Sequence, residues 1–389
     1  MLQAVVSGLG EVHPQRKSGK NVETLILESI GKALEDAGIT AKEIGAVVTE
    51  SSLIPEMAPF DRIAPAAGLN NVNLTLQTVP VGAGILSSFA VAYDLVAQGK
   101  ADHALMYFGV DWGTNPAGPS GYHAGMLAKK IIEGPTGFAG PPLYFACAAR
   151  RYQHVYGLSD EELQDMLWQV VEFTRVNACQ NPHAQQGHQL TKEQYLAKTV
   201  IAEPLRSVDC SLLSDGAVAV VISRAGEFKG RSPAVTLAGW GYEFDPIPDM
   251  DFYTQSPWLP DLPACRRATN KALSLAKLRL DDVDLFQIYD CFSIAVILQI
   301  EAMGLCPPGQ GRHLIKDDNT LFNGRVPVNT HGGLLAHGYL LGVGHLAEAV
   351  HQLRGQAGNR QVENAKAAFV GAGPGRQYTS LILRRANLL

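Results

Sequence analysis

The chain repeats one arrangement of secondary-structure signals in its two halves. An amphipathic helical pattern at residues 22–37 is followed by a short acidic turn and an apolar strand at residues 46–49. The same order returns 239 residues later, with a helix predicted at residues 266–277 and a strand at residues 285–288. Equal order over segments of this length indicates duplication.

A second pair of segments follows the first. A helix predicted at residues 85–98 leads to a strand at residues 103–108, and a helix at residues 344–354 leads to a strand at residues 365–370. The strands are apolar throughout, which is typical of strands that are covered on both faces. Their alternation with helices predicts an α/β fold in which helices cover both faces of mixed sheets.

An insertion without a counterpart in the second half interrupts the first half. It begins with a turn-rich stretch at residues 115–121 and continues with helical patterns at residues 143–156 and 160–179. Turns and helices of this kind predict a separate folded segment. We predict an N-terminal half, an inserted segment, the end of the N-terminal half and a C-terminal half, at residues 1–114, 115–207, 208–235 and 236–389.

Composition limits the classes of partner and location. The net charge is −5, and no basic run is present that would neutralise a series of nucleic-acid phosphates. The six cysteines show no C-x-x-C spacing and are expected to be reduced thiols. The sequence shows neither a signal-peptide pattern nor an apolar stretch of about 18 residues. We therefore expect a cytoplasmic protein without a membrane span.

Two segments of the C-terminal half carry polar residues in a distinctive order. Residues 288–293 read I-Y-D-C-F-S, and residues 329–342 read N-T-H-G-G-L-L-A-H-G-Y-L-L-G. They resemble the H-D-C-F and N-x-x-G-G-x-x-x-x-G-H-P-x-G motifs of thiolases, in particular those of the sterol-carrier-protein type. Tyr289 and Tyr339 stand at two positions at which these motifs have histidines.

A third difference removes the nucleophile. Counting back from G-K-A-D at residues 99–102 matches Gly82 to the reactive cysteine of thiolases. Glycine has no side chain for covalent catalysis, which excludes Claisen chemistry through this position. The loop V-G-A-G-P-G at residues 370–375 resembles the last glycine loop of the family, and the second cysteine of the family is also missing there.

The resemblance covers nearly the whole chain, including the S-D-G-A segment at residues 214–217. It implies the five-layered αβαβα thiolase-like fold, built from two duplicated halves. It also implies that the inserted segment is the loop domain that covers the active site and contacts coenzyme A.

The glycines that remain favour a reaction through an enolate without a covalent intermediate. The resemblance implies that the backbone N–H of Gly82 belongs to an oxyanion hole at a helix start, where free N–H groups stabilise developing negative charge. Gly332, Gly333 and Gly373 allow the backbone to approach a substrate closely. Retro-aldol cleavage of a β-hydroxyacyl-CoA uses such an oxyanion site, together with a base for the hydroxyl proton and an acid for the α-carbon.

A phenol can serve as this acid or base. To act as a base near neutral pH, a tyrosine needs its pKa lowered from about 10 by positive charge or hydrogen bonds. His331, His337 and His345 are neighbours in the sequence that could contribute, and we include His331 and His337 among the candidate catalytic residues. A structural role for the three histidines is the alternative, since their spacing matches no zinc pattern.

The two tyrosines resemble those of the aldolases that remove short side chains from steroid-CoA thioesters, an offshoot of the thiolases. The resemblance implies that Tyr339 is the base toward the hydroxyl and that Tyr289 protonates the enolate, although the roles could be exchanged. It implies a steroid or bile-acid side-chain CoA thioester as substrate and a ketone or aldehyde and a short acyl-CoA as products. No cofactor is expected, because coenzyme A is part of the substrate and any zinc would belong to a partner.

Other interpretations remain open at this point. The tyrosines could be ordinary buried phenols. A thiolase-like acyltransferase would need another nucleophile, for which Cys291 is the candidate, although packing is the better interpretation of this cysteine. A non-catalytic acyl-CoA-binding scaffold is the third class, and the intact glycine loops favour an enzyme over it. Asp290 is expected to form local hydrogen bonds.

Partners are implied by the resemblance alone. Thiolases pair through a sheet edge of the first half, and residues 73–79 look like that strand, so we expect a homodimer. Aldolases of this kind also associate with a small protein of the zinc-ribbon and OB-fold type, which implies an α2β2 complex. This chain lacks zinc-ribbon cysteine spacing, so that domain would come from another polypeptide.

Overall fold

The structure is a computed structural model, and it describes residues 3–50, 60–78, 82–115, 131, 134–137, 140–230, 232–245, 260–373 and 375–386. The α-helices in these ranges are α1 (Val22–Ala37), α2 (Phe60–Ala66), α3 (Gly82–Ala97), α4 (Pro141–Tyr156), α5 (Asp160–Ala178), α6 (Lys192–Leu196), α7 (Pro263–Ala276), α8 (Ser293–Met303), α9 (Gly311–Leu314) and α10 (Val343–Arg354). The strands are β1 (Ala4–Gln15), β2 (Ala46–Glu50), β3 (Leu74–Thr78), β4 (His103–Asp111), β5 (Val200–Ala202), β6 (Leu205–Arg206), β7 (Asp215–Arg224), β8 (Val235–Phe244), β9 (Leu285–Ile288), β10 (Ala367–Ala372) and β11 (Gln377–Arg385). None of the described helices has the length and apolar character needed to cross a membrane.

Nine of the described strands form one mixed sheet in the order β3-β2-β4-β7-β1-β8-β11-β10-β9. The sheet has two similar halves, which are joined where Val6 of β1 pairs with Val235 of β8. In the first half β2 runs parallel to β4, and β4, β7 and β1 are successively antiparallel. In the second half β9 runs parallel to β10, and β10, β11 and β8 are successively antiparallel. The equal order and direction confirm the predicted duplication.

Helices form three layers around the two half-sheets. α1 packs on β1, β4 and β7, and α7 packs on β8 and β11, so these helices cover the outer faces. α3 and α10 contact each other and strands of both half-sheets, which places them in the centre. Phe89 of α3 and Leu346 of α10 are fully buried there. The predicted five-layered α/β fold is confirmed.

Local signals explain the ends of the repeated outer helices. The side chain of Asn21 accepts a hydrogen bond from the backbone N of Thr24 at 2.9 Å, which caps the start of α1. Gly38 ends α1 with φ 67°, in the left-handed region that favours glycine. α7 begins at Pro263, three residues before the predicted start. Proline is tolerated at the first helical position because an N–H group there would have no hydrogen-bond partner within the helix.

The inserted segment lies between β4 and β7 and supports the centre of the C-terminal half. α4 and α5 both pack on α8, and α5 also contacts the turn at Gly333–His337. The insertion therefore packs against α8, which follows β9, and against the turn at Gly333–His337, which precedes α10. Most of the turn-rich stretch at residues 115–121 lies outside the described residues, and the segment boundaries stay predictions.

Candidate active site

Tyr289 lies directly after β9, a strand that is buried along its whole length. The backbone N of Tyr289 donates a hydrogen bond to the carbonyl oxygen of Gly371 in β10 at 3.1 Å. The side-chain amide of Gln299, in α8, donates to the carbonyl oxygen of Tyr289 at 2.7 Å. Two neighbouring elements therefore fix the backbone that carries this phenol.

Tyr339 lies on the glycine-rich loop that spans residues 329–342. This loop makes a turn of π-helix at Gly333–His337 and then reaches Tyr339. The backbone N of Tyr339 donates to Oγ of Ser214 at 2.8 Å, and the same oxygen accepts a hydrogen bond from the side chain of Gln185. Ser214 precedes β7, so the first half of the protein anchors Tyr339.

The structure brings the two phenols together. Their oxygen atoms lie 2.9 Å apart, and either can be the donor. Tyr289 is buried, whereas Tyr339 as a whole residue is partly exposed. Trp112, the residue after β4, packs on Tyr339 with ring centroids 5.1 Å apart. We call Tyr289 and Tyr339 the tyrosine pair.

Burial raises the pKa of both phenols. For Tyr289, burial and then the neighbouring Tyr339 and Cys291 raise the pKa well above its ordinary value. Burial also raises the pKa of Tyr339. The lowered pKa that a phenolate base would need is not found at this site, because a low-dielectric surrounding disfavours the phenolate. Both members of the pair are neutral near pH 7.

Asp290 holds the glycine-rich loop in place. Its carboxylate accepts hydrogen bonds from the backbone N of Leu334 at 2.8 Å and of Leu335 at 3.3 Å, and it lies 3.0 Å from Nε2 of His345. A Cβ at Gly333 would lie 2.0 Å from a carboxylate oxygen of Asp290, so this close approach requires glycine. The predicted local hydrogen-bonding role of Asp290 is confirmed.

The three histidines of the glycine-rich loop and α10 form a row of rings. The centroid of His331 lies 5.0 Å from that of His337 and 5.1 Å from that of His345, whose own ring is 6.4 Å from Tyr289. Burial lowers the pKa of His331 well below its ordinary value and lowers that of His337 to about 3. His345 thus stands between Tyr289 and the two candidate histidines, whose catalytic role stays a prediction.

A small polar cavity borders His331 and His337. Its walls include Glu11, His13 and His351, and its free space of about 10 Å³ is the room that one water molecule requires. The carboxylate of Glu11 pairs with His351. Among the residues that the structure describes, no three His, Cys, Asp or Glu side chains are arranged to hold a metal ion.

The first turn of α3 meets the glycine-rich loop near the tyrosine pair. Gly82 begins α3, and residues 79–81 before it lie outside the described ranges. Gly342 approaches α3 and β10 so closely that a Cβ there would lie 3.2 Å from Ile85 and 3.0 Å from Ala372. The helix start that carries Gly82 therefore adjoins the loop that carries Tyr339.

The other predicted oxyanion glycines lie on the same loops. Gly332 has φ 98°, Gly333 has φ 59° and Gly373 has φ 105°, all in the region that favours glycine. Gly373 directly follows β10, whose Gly371 binds the backbone of Tyr289. The use of these glycines, and of Gly82, to stabilise an enolate stays a prediction.

Cys291 has the properties of a packing residue. It is 6% exposed, and burial, followed by the charge of Asp290, raises the pKa of its thiol well above the ordinary value. The next residue, Phe292, stacks on Phe145 of the inserted segment with centroids 4.4 Å apart. A buried neutral thiol is a poor nucleophile.

Two residues of the site were not singled out from the sequence. Trp112 has no motif, although its place at the end of a buried parallel strand could have marked it as a site residue. Ser214 belongs to the S-D-G-A segment, which in the sequence supports the resemblance to thiolases but is not among the candidate site residues. Its contact with Tyr339 joins residues 125 positions apart and is visible only in the fold.

Comparisons with known proteins agree with this geometry. Residues 251–385 match the family described as thiolase C-terminal domain-like. The acetyl-CoA acetyltransferase of Methanothermobacter thermautotrophicus is 32% identical over 353 residues, which are 88% of this chain and 88% of that protein. The 17-hydroxy-3-oxo-4-pregnene-20-carboxyl-CoA lyase of Mycobacterium tuberculosis is 29% identical over 398 residues, covering 98% of this chain and 99% of the lyase.

A solved structure described as an Ltp2-ChsH2(DUF35) aldolase superposes with a TM-score of 0.90 at 25% identity, covering 100% of this chain and 99% of that chain. Similarity therefore extends over both halves and the insertion. Because a relative at 32% identity matches along most of both chains, the protein belongs to the thiolase superfamily.

Proposed function

We propose that the protein is an aldolase that cleaves a β-hydroxyacyl-CoA into a ketone or aldehyde and a short acyl-CoA. The observation that carries the proposal is the tyrosine pair, because the two phenols are hydrogen-bonded to each other on the segments that resemble thiolase motifs. The match of Gly82 to the thiolase nucleophile supports the proposal from the sequence. Such a site can move protons but cannot carry an acyl group on the enzyme.

The relatives support a steroid side-chain thioester as the substrate. The lyase of Mycobacterium tuberculosis is named for a pregnene with a hydroxyl at carbon 17 and a CoA thioester at the carboxyl on carbon 20, which places the hydroxyl β to the thioester. The solved structure with the TM-score of 0.90 is named an aldolase. Both match this chain over nearly its full length, including the segments that carry the tyrosine pair.

A relay between two neutral phenols fits the raised pKa values. The substrate hydroxyl passes its proton to Tyr339, Tyr339 passes its own proton to Tyr289, and Tyr289 protonates the α-carbon. The O–H electron pair becomes the new C=O bond, while the pair of the broken Cα–Cβ bond forms the enolate and then takes the proton. Each phenol ends with one proton, as it began, so no free phenolate is needed.

Acyl transfer is the second candidate, because the 32% identical relative is an acetyl-CoA acetyltransferase. In this chain Cys291 would have to carry the acyl group. Its burial and the raised pKa of its thiol oppose that role. A non-catalytic scaffold would leave the tyrosine pair without a function.

We further propose a homodimer and a small zinc-ribbon and OB-fold partner in an α2β2 complex. β3 forms one edge of the sheet, and its Leu76 is 39% exposed, as expected of a strand that pairs with a second copy. The name of the solved structure gives two components, Ltp2 and ChsH2(DUF35), which supports the proposal that a second polypeptide binds this protein.

The decisive experiment identifies products. The purified protein, alone and with a candidate partner, is incubated with a tertiary β-hydroxyacyl-CoA, and the products are analysed by mass spectrometry. We expect equal amounts of ketone and shortened acyl-CoA, formed at least about a hundredfold more slowly by the Tyr289→Phe/Tyr339→Phe variant, which keeps both rings. Acetyl transfer to free CoA in the absence of cleavage would instead support the acyltransferase.

A further inference from the structure

Ser214, which precedes β7, and Asp215, which begins it, connect the first half of the protein to Tyr339 by two separate routes. Both side chains are fully buried. Neither residue contributes an atom to the tyrosine pair. Their hydrogen bonds nevertheless end on the backbone of Tyr339 and on the segment that carries Trp112.

Ser214 acts on the backbone of Tyr339. Its hydroxyl oxygen accepts the hydrogen bond from the backbone N of Tyr339 at 2.8 Å. It also accepts a hydrogen bond from the side chain of Gln185, whose backbone N donates to the carbonyl oxygen of His337 at 3.1 Å. Ser214 therefore restrains the two ends of the short segment 337–339, once directly and once through Gln185.

Asp215 acts on the end of β4. Its carboxylate accepts hydrogen bonds from the backbone N of Gly113 at 2.7 Å, of Thr114 at 2.9 Å and of Ser18 at 2.6 Å, as well as from the hydroxyls of Thr114 and Ser18. Burial alone would raise the pKa of Asp215, but these hydrogen bonds outweigh it, and the pKa lies below its ordinary value. The carboxylate is thus charged at neutral pH and holds the backbone directly after Trp112.

The two routes meet at the ring of Tyr339. Trp112 packs on that ring with centroids 5.1 Å apart, so a shift of the Gly113–Thr114 backbone would change the surface against which Tyr339 rests. The relay needs Tyr339 within hydrogen-bonding distance of both Tyr289 and the substrate hydroxyl. A displacement of about 1 Å in such a geometry can cost roughly a hundredfold in rate.

We propose that Ser214 and Asp215 are positioning residues of the aldolase, Ser214 through the backbone of Tyr339 and Asp215 through Trp112. The inference rests on the proposed function for its kinetic consequence. Its structural part, the placement of the Tyr339 phenol, can be measured without turnover.

The test compares Ser214→Ala and Asp215→Asn with Asp284→Asn. Asp284 is a matched control, because its carboxylate also accepts two backbone hydrogen bonds, from Lys366 at 2.7 Å and Ala367 at 2.9 Å, at the start of a strand. We expect the first two variants to lose roughly tenfold to a hundredfold in kcat with little change in KM, and the control to lose less than about threefold. Rates are expressed per folded protein. Ser214→Thr keeps the acceptor and should restore most of kcat.

A double-mutant cycle separates positioning from general damage. In the Tyr339→Phe background, Ser214→Ala and Asp215→Asn should cost little further activity, because the hydroxyl they place is already absent. Equal fold losses in both backgrounds would overturn the inference. So would a loss in the original background no larger than that of Asp284→Asn.

A spectroscopic measurement distinguishes failure of this inference from failure of the proposed function. The protein is labelled with 3-fluorotyrosine, and the ¹⁹F resonance of Tyr339 is assigned by its loss in Tyr339→Phe. Ser214→Ala and Asp215→Asn should shift this resonance, and Asp284→Asn should leave it in place. If the Tyr339 resonance shifts in these variants but the original protein cleaves no β-hydroxyacyl-CoA, the proposed function is rejected and the positioning role is kept. An unshifted resonance in both variants would reject the positioning role.

Discussion

The phenol oxygens of Tyr289 and Tyr339 lie 2.9 Å apart, although 50 positions separate the two residues in the chain. Each phenol stands on a backbone that is hydrogen-bonded to another element, to Gly371 of β10 for Tyr289 and to Ser214 for Tyr339. The distance is therefore set by the packing of the fold. At this distance a proton can pass between the phenols without movement of either side chain.

Removal of either phenol oxygen should abolish most of the turnover. Tyr289→Phe and Tyr339→Phe should each lower kcat by about a hundredfold to ten-thousandfold, the usual contribution of a positioned acid or base. Phenylalanine keeps the ring, so binding of acyl-CoA should stay nearly unchanged. Steady-state cleavage of a β-hydroxyacyl-CoA and a separate binding titration measure the two effects.

The double variant is the control for the relay. Because the two phenols act on the same proton path, Tyr289→Phe/Tyr339→Phe should cost far less than the product of the single losses. Near-normal turnover in both single variants would show that the tyrosines are packing residues and would remove the main support for the aldolase.

The rate should be insensitive to pH through the neutral and mildly alkaline range. Burial raises the pKa of both Tyr289 and Tyr339 above the ordinary value of 10, so both keep their protons from about pH 7 to pH 9. A relay between neutral phenols then runs at constant rate in this window, whereas a phenolate base would make the rate rise with pH. The profile of kcat/KM against pH measures this dependence. The solvent isotope effect on the rate, measured in mixtures of H2O and D2O, should indicate that more than one proton moves in the relay step.

Alkylation of thiols should leave cleavage largely intact. Cys291 is buried and its thiol pKa is raised, so iodoacetamide should react with it slowly, and no step of the relay uses it. The rate and the labelling of Cys291 are followed together by activity assay and peptide mass spectrometry. Loss of activity in proportion to labelling of Cys291, with protection by substrate, would make acyl transfer the better proposal.

Burial of His337 should make the protein less stable as the pH falls below neutrality. The folded-state pKa of His337 is about 3 against an ordinary value of 6.5, so the unfolded chain binds this proton first and stability falls as the pH drops below 6.5. Glu11, with a folded-state pKa of about 2 against 4.5, adds to the loss only below pH 4.5. Asp209, whose pKa burial raises to about 6, takes up its proton in the folded protein above pH 4.5 and opposes the loss, so the contribution of His337 has to be measured against a variant that lacks this histidine.

Urea unfolding at pH 7 and pH 5 tests this dependence. In His337→Gln, which cannot bind the proton, the decrease in the free energy of unfolding between the two pH values should be smaller by about 1–2 kcal/mol. An equal decrease in the original protein and in the variant would mean that His337 is protonated in the folded state at pH 5.

Restoring the thiol should not restore thiolase chemistry. Gly82→Cys places a cysteine at the start of α3, but a nucleophilic thiolate needs a base that keeps the thiol proton, and phenols with raised pKa values cannot hold a second proton at neutral pH. We expect no measurable thiolysis of acetoacetyl-CoA by this variant in the presence of free CoA. Appreciable thiolysis would mean that another group near α3 acts as a base.

The parts of the fold that depend on local pattern were predictable from the sequence. Apolar periodicity located α1, β2, α7 and β9, and their equal order predicted the duplication. Tyr289 and Tyr339 were identified because they interrupt motifs whose other positions are kept. The start of α7 was misplaced because the proline at position 263 initiates the helix without contributing to its apolar stripe.

The environment of the site was not predictable in the same way. The direction of the tyrosine pKa shifts depends on desolvation and on which rings face each other, and both follow from packing between distant segments. Nearby histidines suggested positive charge, but their own burial keeps His331 and His337 neutral. The role of Trp112 depends on Asp215, which lies about a hundred positions away in the chain.

The joining of two similar half-sheets bears on the ancestry of the reaction. When β2 is aligned with β9, the position that corresponds to Tyr289 is occupied by Glu50, so the copies differ where one of them carries a phenol. Both tyrosines come from the second copy, while Ser214 and Trp112, which contact Tyr339, come from the first. The proposed chemistry therefore depends on differences between the two copies, and neither copy alone contains the tyrosine pair together with the residues that contact Tyr339.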